Sequence, residues 1–298
     1  IRRQRQMCIR DRYSEQLANQ EDAPFDFTGW NANTDWQDEI FQTAFITNNN
    51  ISITGASPKH SFYLGVGYSY EQGNIEHEKF SKVTINASND YKITDYLKVG
   101  FQFNGARMLP ADSKQVLNAL RATPIAPVYN DEYGLYSALP EFQKAQINNP
   151  MVDVSLRANT TKAENYRASG NIYGEVDFLK HFNFKAMFSM DYASNNGRTY
   201  QPIVKVYDPT VSGNIATLGT GKTEVSQFKE NETKVQSDYV LTYTNSFDNG
   251  NHNLTATAGF TTYYNSLSRL DGARKQGVGL VIPNDPDKWF VSIGDAAT

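Results

Sequence analysis

Hydrophobic and polar residues alternate with a period of two over long stretches of the chain. One stretch places Phe62, Leu64, Val66, Tyr68 and Tyr70 on one side of an extended backbone, with Gly65, Gly67 and Ser69 among the residues on the other. Such alternation predicts strands that have one apolar and one polar face. The predicted strands cover 48–56, 61–71, 81–92, 96–107, 166–178, 182–192, 234–247 and 252–264.

The connections between these strands fall into two length classes. Within each successive pair the link is a tight turn, such as Ile93-Thr94-Asp95, whereas the predicted loops 108–165, 193–233 and 265–298 are long. Short turns at one end and long loops at the other are typical of bacterial outer-membrane barrels. Several strands reach the roughly 9–11 residues that a tilted strand needs to cross a bilayer. The first long loop also contains a predicted short helix, Lys114–Arg121, capped by Asp112 or Ser113.

If these strands cross a membrane, their apolar faces contact lipid. The predicted lipid-facing residues are Leu64, Val66, Phe101, Phe103, Phe184, Phe188, Leu241 and Leu254. Aromatic residues lie near both ends of the strands, as in the girdles of membrane barrels. The alternative is that the same faces pack together as the core of a soluble β-sandwich.

The first twelve residues resemble a translated sequencing adapter rather than protein sequence. They include the one cysteine, five arginines and one aspartate. The formal net charge of −4 becomes −8 without these five positive charges and one negative charge. An acidic chain argues against a nucleic-acid partner, which normally meets a basic surface. A mean hydropathy of −0.57 argues against a bundle of transmembrane helices.

Residues suited to catalysis or metal binding are sparse. None of the four histidines stands in a nucleophile motif with a serine or cysteine. Glu76-His77-Glu78 is a weak metal motif, because adjacent residues of an extended chain point in opposite directions. The sequence therefore predicts no enzyme, no cofactor and no resident metal; whether calcium binds the acidic loop at Asp131 and Glu132 is left open.

Several segments together resemble one family, the SusC/RagA-like TonB-dependent transporters of Bacteroidota. The resemblance is carried by 33–41 (Asn-Thr-Asp-Trp-Gln-Asp-Glu-Ile-Phe), 51–55, 62–68, 72–73, 96–100, 127–129, 149–150 and 178–180. Asn49-Asn50 and Gly55-Ala56 depart from the family pattern, which has His-Asn and a double glycine at these places. The resemblance is strongest over 30–200.

This resemblance implies an all-β, antiparallel up-and-down meander that forms part of a 22-stranded transmembrane barrel with long extracellular loops. Residues 13–47 would form the junction from the plug to the barrel and the first barrel segment, and 48–298 a partial barrel. The implied function is energy-coupled import of oligosaccharides or peptides across the Gram-negative outer membrane. The implied partners are membrane lipid, a SusD-like surface lipoprotein, and TonB through an N-terminal region that precedes this sequence.

Aromatic residues in the loops are candidates for contact with substrate or partner. They are Trp30, Trp36, Tyr133, Tyr136, Tyr200, Tyr207 and Trp289. Such rings stack on sugars in glycan-binding proteins, but they equally pack inside loops or against a lid lipoprotein. Two other functions stay open for the whole chain: a passive porin or secretion pore, and a soluble adhesin or lectin module. The sequence carries no code for the identity of the substrate.

Overall fold

One antiparallel sheet of eight strands dominates the computed structural model, which describes residues 29–111, 116–219 and 221–276. Its strands are β1 (Ile46–Ala56), β2 (His60–Gln72), β3 (Lys79–Lys92), β4 (Leu97–Leu109), β7 (Thr161–Phe178), β8 (Phe182–Gln201), β11 (Glu224–Phe247) and β12 (His252–Lys275). Two short hairpins lie in the long loops: β5 (Tyr129–Asn130) with β6 (Leu135–Tyr136), and β9 (Val204–Tyr207) with β10 (Ile215–Leu218).

The strand order is that of a meander. Neighbours in the sheet follow one another in the chain, in the order β1-β2-β3-β4-β7-β8-β11-β12. The prediction of an antiparallel up-and-down meander is therefore confirmed. Within the described residues the sheet does not close on itself, so β1 and β12 are its two edges.

The register brings the apolar phases of all eight strands to the same side of the sheet. Directly paired residues share a face in an antiparallel sheet. One such row crosses seven strands through Leu64, Ala87, Phe103, Gly170, Met190, Val235 and Tyr264. We call this side the apolar face and the opposite side, which carries Lys98, Gln102 and Asn183, the polar face.

Close packing of the backbone requires glycine at one position of this sheet. A Cβ added to Gly170 would lie 2.5 Å from the carbonyl oxygen of Gln102 on the neighbouring strand. At the tight turn between β7 and β8, by contrast, Leu179 and Lys180 adopt positive φ angles without glycine. Two consecutive positive φ angles match the right-handed twist of the flanking strands in a hairpin.

The strands on the second half of the sheet are longer than the sequence predicted. β8 continues to Gln201, β11 begins at Glu224 and β12 ends at Lys275, all inside the predicted loops 193–233 and 265–298. β7 likewise begins at Thr161, inside the predicted loop 108–165. The predicted strand ends were wrong because both faces of the sheet become polar in these extensions. The alternation of apolar and polar residues disappears there, while the backbone hydrogen bonds between the strands continue.

The loops at the end of the sheet opposite the tight turns form a compact unit. We call this unit, made of 30–41, 116–160 and 203–218, the cap. It contains four helices: α1 (Trp36–Ile40), α2 (Val116–Arg121), α3 (Glu141–Lys144) and α4 (Pro150–Thr160). Its apolar core gathers side chains from all three segments, among them Trp36, Ile125, Leu139, Val152 and Val206.

Helix α2 corresponds to the predicted helix Lys114–Arg121, with its described part beginning at Val116. The predicted capping residues Asp112 and Ser113 lie outside the described residues. No helix in the described part of the chain is long and apolar enough to span a membrane.

Candidate functional site

The apolar face is uncovered where the predicted lipid-facing residues lie. All eight residues predicted to contact lipid lie on it, and seven are exposed, including Phe103, Phe188 and Leu254. Phe184 is half-buried between its paired neighbours Val176 and Leu241. No second sheet packs against this face in the described residues. Contact of these side chains with lipid stays a prediction.

The apolar face has a band without charge, bounded by aromatic rings. Across the strands, the face positions within 62–70, 83–91, 97–105, 166–178, 182–192, 235–243 and 254–264 contain no Asp, Glu, Lys or Arg. At the tight-turn end Phe182 lies between Phe178 and Tyr243, with ring centroids 5.5 and 5.0 Å apart. At the other end Tyr192 donates a hydrogen bond to the amide oxygen of Asn231. This layout matches the apolar belt and interfacial girdles of a membrane barrel.

The polar face carries the charges of the same strands. The ring of Tyr173 lies 4.6 Å from Nζ of Lys185 and 5.5 Å from Nζ of Lys98, and its hydroxyl donates to the carboxylate of Asp90. Further along β7, Arg167 donates two of its N–H groups to the carboxylate of Asp191. An aqueous or plugged lumen can accommodate charged side chains such as those on the polar face, whereas hydrocarbon cannot.

The structure buries two of the predicted contact residues. Trp30 and Trp36 are 1% and 2% exposed in the core of the cap, and Nε1 of Trp36 donates to the carbonyl oxygen of Thr123 over 2.8 Å. The expectation that these two rings meet a substrate is therefore corrected: they pack the loops together. Beside them, the amide N–H of Ala32 donates to the carbonyl of Ile125.

Tyr200 and Trp289 do not join the other predicted contacts. Tyr200 is buried at the upper end of β8, where it is paired with Val225 across the sheet. The predicted substrate contact at Tyr200 is therefore also corrected, because its ring is removed from solvent. Trp289 lies outside the described residues.

Three predicted aromatics do come together, and with them a tyrosine that the sequence analysis missed. The rings of Tyr133 and Tyr207 have centroids 5.1 Å apart, and those of Tyr136 and Tyr129 are 5.3 Å apart. The two pairs lie next to each other because Ser137, which follows Tyr136 in the chain, forms an isolated parallel β-bridge with Tyr207. We call these four residues the tyrosine cluster. Tyr129 belongs to the Pro-Val-Tyr segment 127–129 that resembles the family, which was the available signal for it.

Hydrogen bonds hold the tyrosine cluster on the cap. The hydroxyl of Tyr136 lies 2.7 Å from that of Ser155 on α4, and the side-chain amide of Asn214 donates to the Tyr133 hydroxyl. Tyr129 is exposed, whereas Tyr133, Tyr136 and Tyr207 are half-buried. Partly exposed rings of this kind offer apolar faces and hydroxyl groups together, which suits sugar rings and peptide side chains alike.

Two buried polar side chains support the cap beneath this cluster. Asn149 donates its amide protons to the carbonyls of Val128 and Ser137, while its amide oxygen accepts from the backbone N–H of Met151 at the start of α4. It therefore caps the helix and joins it to two neighbouring strand ends. The pair Asn149-Pro150 is among the residues that resemble the family, but the sequence analysis assigned Asn149 no structural role.

The second buried group is the carboxylate of Asp208. Burial alone would raise its pKa, but hydrogen bonds from the hydroxyl and N–H of Thr210 and the ammonium of Lys144 outweigh it and lower the pKa. A hydrogen bond with Glu141 is the main cause that raises the pKa of Lys144. Asp208 is therefore ionised at neutral pH and fixes the β9–β10 hairpin to α3.

The described residues hold no group of three or more His, Cys, Asp or Glu side chains arranged to bind a metal.

Sequence comparison finds relatives of one kind, although no family model matches the chain. TonB-dependent receptor P3 of Formosa agariphila is 29% identical over 242 residues, which are 77% of this chain and 22% of that protein. SusC of Bacteroides thetaiotaomicron, also a TonB-dependent receptor, is 31% identical over 106 residues, 34% of this chain and 10% of SusC. The chain thus spans less than a quarter of the length of these relatives. These relatives are named as receptors, in line with the prediction that the chain is not an enzyme.

Comparison of structures finds the same fold. The RagAB peptide transporter matches with a TM-score of 0.68 and 16% identity over 91% of this chain and 31% of the matched chain. The RagAB peptide importer in its closed-closed state matches with a TM-score of 0.67 over 90% of this chain. The eight-stranded sheet is therefore a segment of such a barrel. Sequence relatives and fold agree that the chain is similar to a segment of a SusC/RagA-like TonB-dependent receptor.

Proposed function

We propose that this chain forms part of the wall and the outer mouth of an energy-coupled importer in the Gram-negative outer membrane. The observation that carries the proposal is the exposed apolar face, which has an uncharged band running across seven strands from β2 to β12. Moving an arginine or lysine to the middle of a bilayer on such a face costs about 2–4 kcal/mol, so an uncharged band is what lipid selects. The relatives, which are TonB-dependent receptors, favour import over a passive pore.

The polar face then lines the lumen, and the cap lies on the outside of the cell. The tight turns lie at the periplasmic end, because short periplasmic turns and long external loops are the rule for these barrels. TonB acts from the periplasm through a region that precedes the strands, and a SusD-like lipoprotein covers the cap. The cargo is an oligosaccharide or a peptide, which both fit the mixed apolar and hydroxyl character of the tyrosine cluster.

Fractionation and uptake test this proposal in cells that carry the whole transporter. We expect the transporter in the outer-membrane fraction, and growth on its cargo to require TonB. Recovery in the soluble fraction would instead favour the adhesin or lectin module, and uptake independent of TonB would favour the porin.

Substitutions in the tyrosine cluster test its role in uptake. Tyr133→Ala with Tyr207→Ala removes two stacked rings and is expected to lower uptake, whereas the matching Phe variants keep the rings and most of the uptake. The control is Tyr96→Ala, an exposed tyrosine at a tight turn on the far side of the membrane. Equal uptake by all these variants would remove the cluster from the import path.

A further inference from the structure

Immediately above the uncharged band, the apolar face carries a cationic cavity. This cavity, of about 660 Å³, is lined by Arg107, Lys162, Arg198 and Lys229, with Glu164 as its one acidic side chain. The four cations come from four different strands, and the register assembles them: Lys162 pairs with Arg198, and Asn196 lies between Glu164 and Lys229.

The charges in this cavity are not balanced. Arg107 contacts Glu164 at 2.5 Å, but among the described residues Lys162, Arg198 and Lys229 form no ion pair. Three unpaired cations on one face stand out in a chain whose formal net charge is −4. Like charges held this close repel one another, so an anion with several oxygens is the complementary ligand.

Below the cationic cavity, two apolar cavities follow β7 down the same face. Their volumes are about 390 and 540 Å³, and Phe101, Ile172 and Phe188 line both. They exist because β7 presents small residues here, Gly170 in one cavity and Gly174 in the other. A Cβ added to Gly174 would meet no atom within 4 Å, so the space beside it is open.

Tyrosines separate the two kinds of cavity. The hydroxyl of Tyr166 donates to Glu164 over 2.6 Å, and the guanidinium carbon of Arg107 lies 6.0 Å from the centroid of the Tyr166 ring. Tyr192 lines the upper apolar cavity and directs its hydroxyl to Asn231. From top to bottom the order is cation, tyrosine and apolar groove, which is the order of headgroup, interface and acyl chain in a lipid leaflet.

We propose that this surface binds one phosphorylated, multiply acylated glycolipid of the outer leaflet. Its phosphate lies among Lys162, Arg198 and Lys229, and an acyl chain lies in the groove along β7. The inference rests on the membrane orientation proposed above, and it goes beyond import because the site faces away from the lumen. Free phosphate would satisfy the cations but would leave the adjoining groove without a role.

Binding to the purified, detergent-solubilised transporter tests the cationic part of the site. The probe is diphosphorylated lipid A, detected on the protein by native mass spectrometry. The triple variant K162Q/R198Q/K229Q is expected to bind it on the order of a hundredfold more weakly, since each cation near an anionic lipid headgroup contributes about a factor of five. The control K59Q/K92Q/K180Q removes three exposed charges at the tight turns, and its binding is expected to be unchanged.

Two further probes separate a lipid from a free anion. Dephosphorylated lipid A is expected to bind weakly, and inorganic phosphate alone is expected not to compete at equal concentration. Gly174→Leu fills the open space in the groove and is expected to weaken lipid A binding, whereas Gly259→Leu, on the polar face, leaves it unchanged. Competition by inorganic phosphate together with indifference to Gly174→Leu would show an anion site and overturn the lipid proposal.

The lipid A binding test and the test of the proposed function can fail independently of each other. Equal lipid A binding by the triple variant, its control and the unmodified transporter would overturn this inference while leaving an outer-membrane importer intact. Recovery of the transporter outside the membrane fraction would overturn both. Correct insertion of the variants is checked by their recovery in outer membranes and by unchanged heat-modifiable migration on gels.

Discussion

The indole N–H of Trp36 donates a hydrogen bond to the backbone carbonyl of Thr123, joining two segments that lie 87 residues apart in the chain. The same two segments are joined by the backbone bonds from Ala32 to Ile125 and from Thr34 to Pro124. The segment that precedes the first strand is thereby fixed to the loop between β4 and β7. Opening of the cap must break these hydrogen bonds together, so hydrogen exchange of the donating N–H groups reports on the stability of the cap.

Substitution of Trp36 is expected to loosen the cap in two steps. Trp36→Phe keeps most of the apolar volume but leaves the Thr123 carbonyl without its donor, which costs about 1–3 kcal/mol of the free energy of cap opening. Trp36→Ala also opens a cavity and costs about 3–5 kcal/mol. Hydrogen exchange of the Ala32 and Thr34 amides measures both losses. Unchanged protection in Trp36→Ala would contradict the assignment of this ring to the core.

Arginine substitutions test which face meets lipid. Phe101→Arg or Phe184→Arg is expected to lower the unfolding free energy of the full transporter by about 2–4 kcal/mol, if these sites lie near the middle of the bilayer. The neighbours Gln102 and Asn183 point to the polar face, and arginine there is expected to have little effect. Urea unfolding from lipid vesicles gives the four values. Equal losses at all four sites would contradict the facing assignment.

Substitution of Asn149 is expected to destabilise the cap more than substitution of a surface asparagine would. Asn149→Ala removes the cap of α4 and strips the carbonyls of Val128 and Ser137 of their donor, with an expected loss of about 2–4 kcal/mol in cap stability. Asn149→Asp keeps the acceptor for Met151 but loses the two donors, so its effect should be comparable at neutral pH. Limited proteolysis of the 116–160 region follows both variants. If the Asp variant resists protease like the unmodified protein, the two donated bonds contribute little.

The cap is expected to weaken only in strong acid through Asp208. Because its folded pKa is lowered, its contribution is fully present above the ordinary value of about 3.9 and is lost as the pH falls through the folded pKa. The extent of cap opening, measured by hydrogen exchange, should therefore not change through Asp208 between pH 7 and 5, and it should rise below about pH 4. Asp208→Asn removes the titrating group and should remove that rise. The same acid-induced rise in Asp208→Asn would assign it to other carboxylates.

The sheet was predictable from sequence because its two faces differ along each strand. Between Phe62 and Tyr70, or between Phe182 and Tyr192, every second residue is apolar, and this parity fixes which side chains share a face once neighbouring strands pair. The upper parts of β8 and β11 were missed because Ser194–Thr199 and Lys229–Thr233 are polar on both faces. Backbone hydrogen bonds and cross-strand pairs such as Arg269 with Glu230 continue the ladder there without a hydrophobic signal.

The cap was not predictable, since its order depends on contacts between distant segments. Trp30 and Trp36 look like exposed loop residues until the segment around Thr123 covers them. The cationic cavity was missed for the same reason. Arg107 and Lys229 are separated by more than a hundred residues in the chain, and only the register of the β4–β7, β7–β8 and β8–β11 pairings brings them to one cavity.

The unequal height of the wall has a consequence for what approaches the cell. β11 and β12 pair over 24 residues each, about 80 Å along the strand. Tilted by about 45°, they rise roughly 55 Å, whereas the hydrocarbon layer takes up only about 30 Å. In the orientation proposed above, the β11–β12 side of this wall stands above the surrounding headgroups, whereas the shorter β1–β4 side does not. In that orientation, a large particle diffusing along the membrane surface meets a lower barrier at β1–β4 than at β11–β12.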